Sequence, residues 1–204
     1  MDQLVVKEVS VVRGKKTVLS NLNMSFSFGE LVAIEGNNGS GKSTFLETLA
    51  GLIQPTQGEI WLEGNSLSEL SFAERANYIS FIPSRKTTAA ALEVRTAIAV
   101  GDLVGRKMSR VEEAIEKFNL KNLQDNLLTE LSDGEFQRVQ LARVWVQDTP
   151  IVLLDEPAAH LDANARQELF GELLKWAKEE NKLVLLCSHE LQLNKQFATR
   201  TLQF

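Results

Sequence analysis

The sequence predicts an α/β fold: a mostly parallel sheet, a small antiparallel β subdomain and a helical insertion at about residues 84–148, all in one domain spanning residues 1–204. Three observations predict it. Short apolar runs at 31–35, 151–154 and 182–186 have strand length and no polar alternation, as strands buried on both faces do. Segments at 4–9, 22–28 and 58–62 alternate and are bounded by turn residues, which suits an antiparallel piece. Between them, 93–100 and 109–118 carry apolar residues at helical spacing.

Taken in order, the first apolar strand at 31–35 runs into a glycine-rich turn and then a helical stretch at 45–52. In the insertion, Ser109-x-x-Glu112 reads as a helix cap for 109–118. Ser132-x-x-Glu135 has the same form and precedes a long helical stretch at 136–146. The strand at 151–154 ends at Asp155-Glu156, and Pro157 closes it. A core helix follows at 164–178, where Ala165, Leu169, Leu173 and Trp176 recur on one face. Cys187 closes the next strand and reads as core, and a last strand ends just before Phe204.

The turn carries chemistry. Gly36-Asn37-Asn38-Gly39-Ser40-Gly41-Lys42-Ser43-Thr44 fits G-x-x-x-x-G-K-[ST] between a strand and a helix. Glycines let successive N–H groups point inward as a nest for an anion, and the helix start adds its dipole. In this motif Lys42 reaches the β- and γ-phosphates of a nucleotide, Ser43 gives its hydroxyl to Mg²⁺, and Thr44 lies toward the α-phosphate. Asp155 and Glu156 stand at the carboxyl end of a buried strand, the edge where open α/β sheets bind ligands. Asp155 suits a magnesium water shell, and Glu156 suits orienting or deprotonating an attacking water.

The segment Leu131-Ser132-Asp133-Gly134-Glu135, continuing through Arg143, resembles the signature of the ABC ATPases, usually L-S-G-G-Q. With the phosphate loop and Asp155-Glu156 it extends that resemblance over nearly the whole chain. Leu161-Asp162 resembles the family's D-loop, and His189, in Cys187-Ser188-His189-Glu190, its switch histidine. The resemblance implies a P-loop NTPase fold and hydrolysis of ATP with Mg²⁺. Lys42, Glu156 and His189 would be catalytic, and the signature of one copy would meet the ATP held by a second copy or a homologous ATPase. It also implies a transmembrane permease partner docked on the insertion, with the chain on the cytoplasmic face of the membrane.

Three positions depart from the family pattern. Ser84, after Pro83, stands where a Mg²⁺-contacting glutamine is usual; either water bridges the gap or Arg85 and Lys86 take over the coupling. Arg13 stands where an aromatic usually stacks on adenine, and is read either as a guanidinium stacking there or as a solvated surface charge. Asp133 replaces a glycine: at ~8 Å and an effective dielectric of ~20, a like charge beside a γ-phosphate costs about 2 kcal/mol unless it turns away or finds a cation. The expectation is that it lies along its own helix, where the dipole favours it.

A formal net charge of −5 argues against a nucleic-acid platform, and no apolar run approaches a bilayer span. A single cysteine excludes an intrachain disulfide framework. The stretches around 65–76, 92–101 and 159–162 resemble ATPase subunits of iron-siderophore, haem and cobalamin importers. The short length resembles haem-exporter ATPases instead, and an ABC ATPase outside transport is the third reading.

Overall fold

The computed structural model describes residues 4–84, 91–102 and 108–204. Strands β1 (Leu4–Arg13) and β2 (Lys16–Phe26) form a hairpin. Both are longer than their alternation suggested, because a turn of only two residues, Gly14 among them at φ 63°, joins them. With β4 (Gln57–Leu62) and β5 (Asn65–Ser66) they make an antiparallel sheet in the order β2-β1-β4-β5. Register slips between Lys7 and Ser10, where Glu8 has φ 53°. Opposite this bulge, a Cβ on Gly58 would stand 2.3 Å from the Glu8 carbonyl oxygen, so only glycine fits.

Strands β3 (Leu31–Glu35), β6 (Ile79–Ile82), β7 (Ile151–Asp155), β8 (Leu183–Cys187) and β9 (Arg200–Gln203) form the second sheet, in the order β6-β7-β8-β3-β9. Every pair in it is parallel. Strands β7 and β8 are buried at every position, which explains their unbroken apolar runs.

Helix α1 (Lys42–Leu49) packs between the sheets, where Phe45, Leu46 and Phe26 join one core. The opposite face of the parallel sheet is covered by α6 (Ala163–Lys178) and α7 (Leu191–Phe197), with Phe170, Leu173 and Trp176 fully enclosed. A short helix, α2 (Phe72–Ala76), precedes β6. Helices α3 (Val94–Ala99), α4 (Met108–Lys117) and α5 (Asp133–Gln147) form a third core around Ile98, Ile115 and Val139.

One expected cap is corrected: Ser109 lies within α4, after Met108, and does not cap it. Ser132 does cap α5, with φ −61° and ψ 161°. Its hydroxyl accepts from Glu135 N and donates to the Glu135 carboxylate at 2.6 Å, while Ser132 N donates to that carboxylate at 2.8 Å. These bonds hold the Glu135 carboxyl below its ordinary pKa.

Candidate active site

In a parallel sheet all carboxyl ends lie on one edge, so the loops after β6, β7, β8 and β3 converge. The chain places Ser84 after β6, Asp155-Glu156 at the end of β7, Ser188-His189 after β8 and the phosphate loop after β3. Four neighbouring parallel strands thus gather residues from four parts of the sequence.

The loop after β3 is shaped by glycine. Gly36, Gly39 and Gly41 have φ of 152°, 80° and 109°. A Cβ on Gly36 would stand 2.4 Å from the Phe204 carbonyl oxygen, and one on Gly41 would meet Leu19 and Val18 at about 3 Å. Nothing stands within 4 Å of the Cβ position of Gly39, at the exposed crest beside Asn37 and Asn38. Ser40 N donates to the Asn37 carbonyl at 3.2 Å and closes the turn, while Ser40 Oγ is buried without a partner. Lys42 is 6% exposed, and its Nζ donates to the carbonyls of Gly36 at 2.8 Å and Asn37 at 3.1 Å. The ammonium therefore lies over the glycine loop itself. Ser43 is exposed at the second position of α1, and Thr44 is buried.

Asp155 is 4% exposed at the end of β7. Glu156 follows with φ 54°, a left-handed backbone that turns its side chain out of the strand direction. Its N–H donates to the Cys187 carbonyl at 3.1 Å, tying the end of β7 to that of β8. The side chains then meet: Glu156 Oε1 and His189 Nε2 are 3.1 Å apart. Cys187 is fully enclosed beneath them, and burial, with the negative charge of Asp155 adding to it, pushes its thiol pKa up. It is core, as its sequence position suggested.

The geometry fits magnesium nucleotide. Ser43 and Asp155 are hard oxygen donors, and Mg²⁺ takes one or two carboxylates plus substrate phosphates in preference to an all-protein cage. Side chains at Gly36 and Gly41 would collide with Phe204, Leu19 and Val18, so the loop keeps the tight path that its glycines allow.

A family model described as ABC transporter matches residues 19–159. The chain belongs to the ABC transporter ATP-binding family. An uncharacterised ABC transporter ATP-binding protein of Methanocaldococcus jannaschii is 30% identical over 97% of this chain and 71% of its own length. The thiamine import ATP-binding protein ThiQ of Vibrio vulnificus is 39% identical over 80% of this chain and 71% of its own. A siderophore transport ATP-binding protein of Bacillus subtilis, YusV, described as probable in that role, is 28% identical over 97% and 75%. Among solved structures, a dimeric ATP-binding cassette in a post-hydrolysis state with ADP and Pi superposes with a TM-score of 0.89 at 25% identity, covering 98% of this chain and 94% of that one. The protein is an ATPase with the P-loop NTPase fold.

Other expected positions of this ABC ATPase lie away from the strand edge or at its margin. Leu131 is buried in the helical core, and Ser132 and Glu135 bond each other at the start of α5. Asp133 Oδ2 lies 4.0 Å from His160 Nδ1. Arg13, 56% exposed in its side chain, pairs with Glu47 of α1 at 3.1 Å. Ser84 is exposed one residue beyond Pro83, beside β7; Arg85 and Lys86 fall outside the described residues. Sequence reading missed Arg166, whose Nε donates to the Leu161 carbonyl at 2.8 Å and whose guanidinium binds Glu190 at 2.7 Å. No local spacing signalled it, because its carboxylate partner, Glu190, lies 24 residues further along the chain.

Proposed function

We propose that this ABC ATPase hydrolyses MgATP between two copies of itself and thereby drives a membrane permease that imports an iron-chelate substrate. The single observation that carries the hydrolytic reading is the 3.1 Å approach of His189 to Glu156 at the strand edge that also bears Lys42. A carboxylate held there accepts a proton from, or orients, a water attacking the γ-phosphate, and the imidazole both fixes that carboxylate and donates toward phosphate oxygen. Lys42 Nζ exchanges its two loop carbonyls for β- and γ-phosphate oxygens. Ser43 and, through water, Asp155 would hold Mg²⁺, which would supply charge neutralisation on the phosphates. Ser84, if it joins them, acts through a bridging water.

The signature supplies the rest in trans: the N-terminus of α5 in one copy faces the γ-phosphate held by the other, so closure depends on an unhydrolysed triphosphate. Support for two copies comes from the dimeric cassette this chain superposes on. Among the described residues no helix is long and apolar enough to cross a membrane. The siderophore-transport relative, aligned over 97% of this chain, favours an iron-chelate cargo.

The test is Glu156→Gln. We expect nucleotide affinity to be kept, turnover to fall about 100-fold or more, and gel filtration in MgATP to show a stable dimer. Full residual turnover would remove Glu156 from this role. For cargo, the permease that co-purifies from membranes is reconstituted in vesicles, and ATP-dependent uptake of a ferric siderophore is compared with thiamine.

A further inference from the structure

We infer that Asn194, a fully buried amide on α7, is a positioning residue for hydrolysis: its bond to Glu35 fixes the segment that carries His189 against the strand that opens into the phosphate loop. This rests on the hydrolytic reading of His189 given above.

Asn194 is 0% exposed. Its Nδ2 donates at 2.9 Å to Oε1 of Glu35, the last residue of β3, 159 positions away in sequence. Its Oδ1 is buried without a partner. An apolar side chain of similar size would cover the sheet and leave no oxygen unpaired, so packing alone does not call for an amide here. The carboxylate selects it: carboxylate oxygens only accept, and Asn194 turns its donor toward them.

Glu35 is itself firmly seated. Its Oε2 accepts from Gln203 Nε2 at 2.7 Å and its carbonyl from Phe204 N at 2.9 Å. Beside it the Ile34 carbonyl accepts from Ser188 N at 3.3 Å. Consecutive residues of β3 therefore tie down both ends of the segment 188–194, Ile34 through Ser188 and Glu35 through Asn194. His189 lies between these ties, and its imidazole meets Glu156 Oε1 at 3.1 Å. Within the segment Glu190 N donates to Ser188 Oγ at 3.0 Å, Leu191 N to the His189 carbonyl at 3.0 Å and Asn194 N to the Glu190 carbonyl at 2.9 Å. A shift of α7 is thereby passed on to the imidazole.

Arg166 holds Glu190 near the first tie, and Asn194 supplies the second. Without that second tie α7 keeps its apolar seat, with Leu193 and Phe197 against the core of α6. Apolar contact is non-directional, so it permits sliding that a hydrogen bond does not. The phosphate loop is less dependent on Asn194, because β3 is paired on both sides, by β8 and β9. The loss therefore falls on the chemical step and spares nucleotide binding.

The experiment follows single-turnover hydrolysis of radiolabelled MgATP by the full chain, with ATP affinity and melting temperature measured alongside. Asn194→Leu is expected to slow hydrolysis about tenfold and to leave ATP affinity within about twofold. Glu35→Ala, which removes the acceptor at a partly exposed position, should give the same loss, and the two together should cost no more than either alone. Glu35→Gln, which keeps an acceptor oxygen, should stay within about twofold of the parent. In a His189→Ala background Asn194→Leu should cost less than about twofold, because no imidazole is left to misplace. If Asn194→Leu slows that background as much as it slows the parent, the amide serves the fold alone and the positioning role is wrong, while His189 keeps its own. Rates within twofold of the parent in both Asn194→Leu and Glu35→Ala also overturn it. If His189→Ala hydrolyses ATP at the parent rate, the hydrolytic reading of His189 is itself wrong, and the role of Asn194 falls with it.

Discussion

Arg166 binds the carboxylate of Glu190 at 2.7 Å, one residue beyond His189. The same side chain donates from Nε to the carbonyl of Leu161 at 2.8 Å. One guanidinium on α6 thus fastens the loop that follows Glu156 to the loop that carries His189. The guanidinium is planar with fixed donor directions, so it sets two distances at once. Both carboxylate and guanidinium side chains are about one-third exposed, which limits what the pair adds to stability.

Its loss should therefore appear in turnover. Arg166→Ala is expected to lower kcat about tenfold, or ~1.4 kcal/mol, with little change in the KM for ATP. Arg166→Lys should recover only part, because an ammonium cannot reproduce both directions. Steady-state kinetics with the melting temperature as a control checks this. A loss confined to KM, or none, would detach Arg166 from the placement of His189.

For Lys42 the expectation is different. Its ammonium is nearly enclosed and already makes two charge-assisted bonds to loop carbonyls. Lys42→Ala removes the cation that meets the phosphates, so ATP affinity should fall about 10- to 100-fold, ~1.4–2.8 kcal/mol. Titration calorimetry with ATP and with adenosine separates the effects: adenosine binding should be nearly unaltered. Equal ATP affinity in the variant would place the phosphates elsewhere.

How much of this was legible in the sequence depends on how local each signal is. The phosphate loop, the cap at Ser132 and the strand ending in Asp155 are short, contiguous patterns, and the structure forms each at its expected place. Strand β6 was hidden because Ile79–Ile82 is only four residues with a serine in it. That serine is buried and bonded to Thr149 at 2.9 Å, a partner 69 residues away. The contact of Asp133 with His160 was invisible for the same reason: a turn after Glu156, with no periodicity of its own, decides where His160 points. Ser109 failed as a cap because Ser-x-x-Glu also occurs within helices, where only the preceding backbone tells the two apart.

Gly36 offers a test of the loop's shape. At φ 152° with a Cβ position 2.4 Å from the backbone oxygen of Phe204, alanine must displace either the loop or the chain after β9. Gly36→Ala should lower stability by about 2 kcal/mol and weaken ATP binding along with it. Chemical denaturation with and without ATP measures both. Gly14→Ala, where nothing lies within 4 Å, is the comparison: it retains only the backbone cost of a positive φ and should leave nucleotide affinity alone.

Cys187 predicts an alkaline weakness. Burial, with Asp155 beside it, holds the folded thiol protonated well above the ordinary value of 9.0, while the unfolded chain titrates near that value. Above about pH 9 the unfolded state therefore binds fewer protons than the folded one, and stability falls as pH rises. Below that pH the contribution is fully present. Cys187→Ala should flatten the decline between about pH 9 and 10.5, relative to the parent, in urea denaturation followed by tryptophan fluorescence, although it lowers stability at pH 7 through the lost packing. A thiol reagent at pH 8 should label the folded protein only at the rate of global opening, since the sulfur is fully enclosed beneath Asp155 and Glu156. Rapid labelling without unfolding would mean that the end of β8 opens on its own, and that the floor under the Glu156–His189 pair is not rigid.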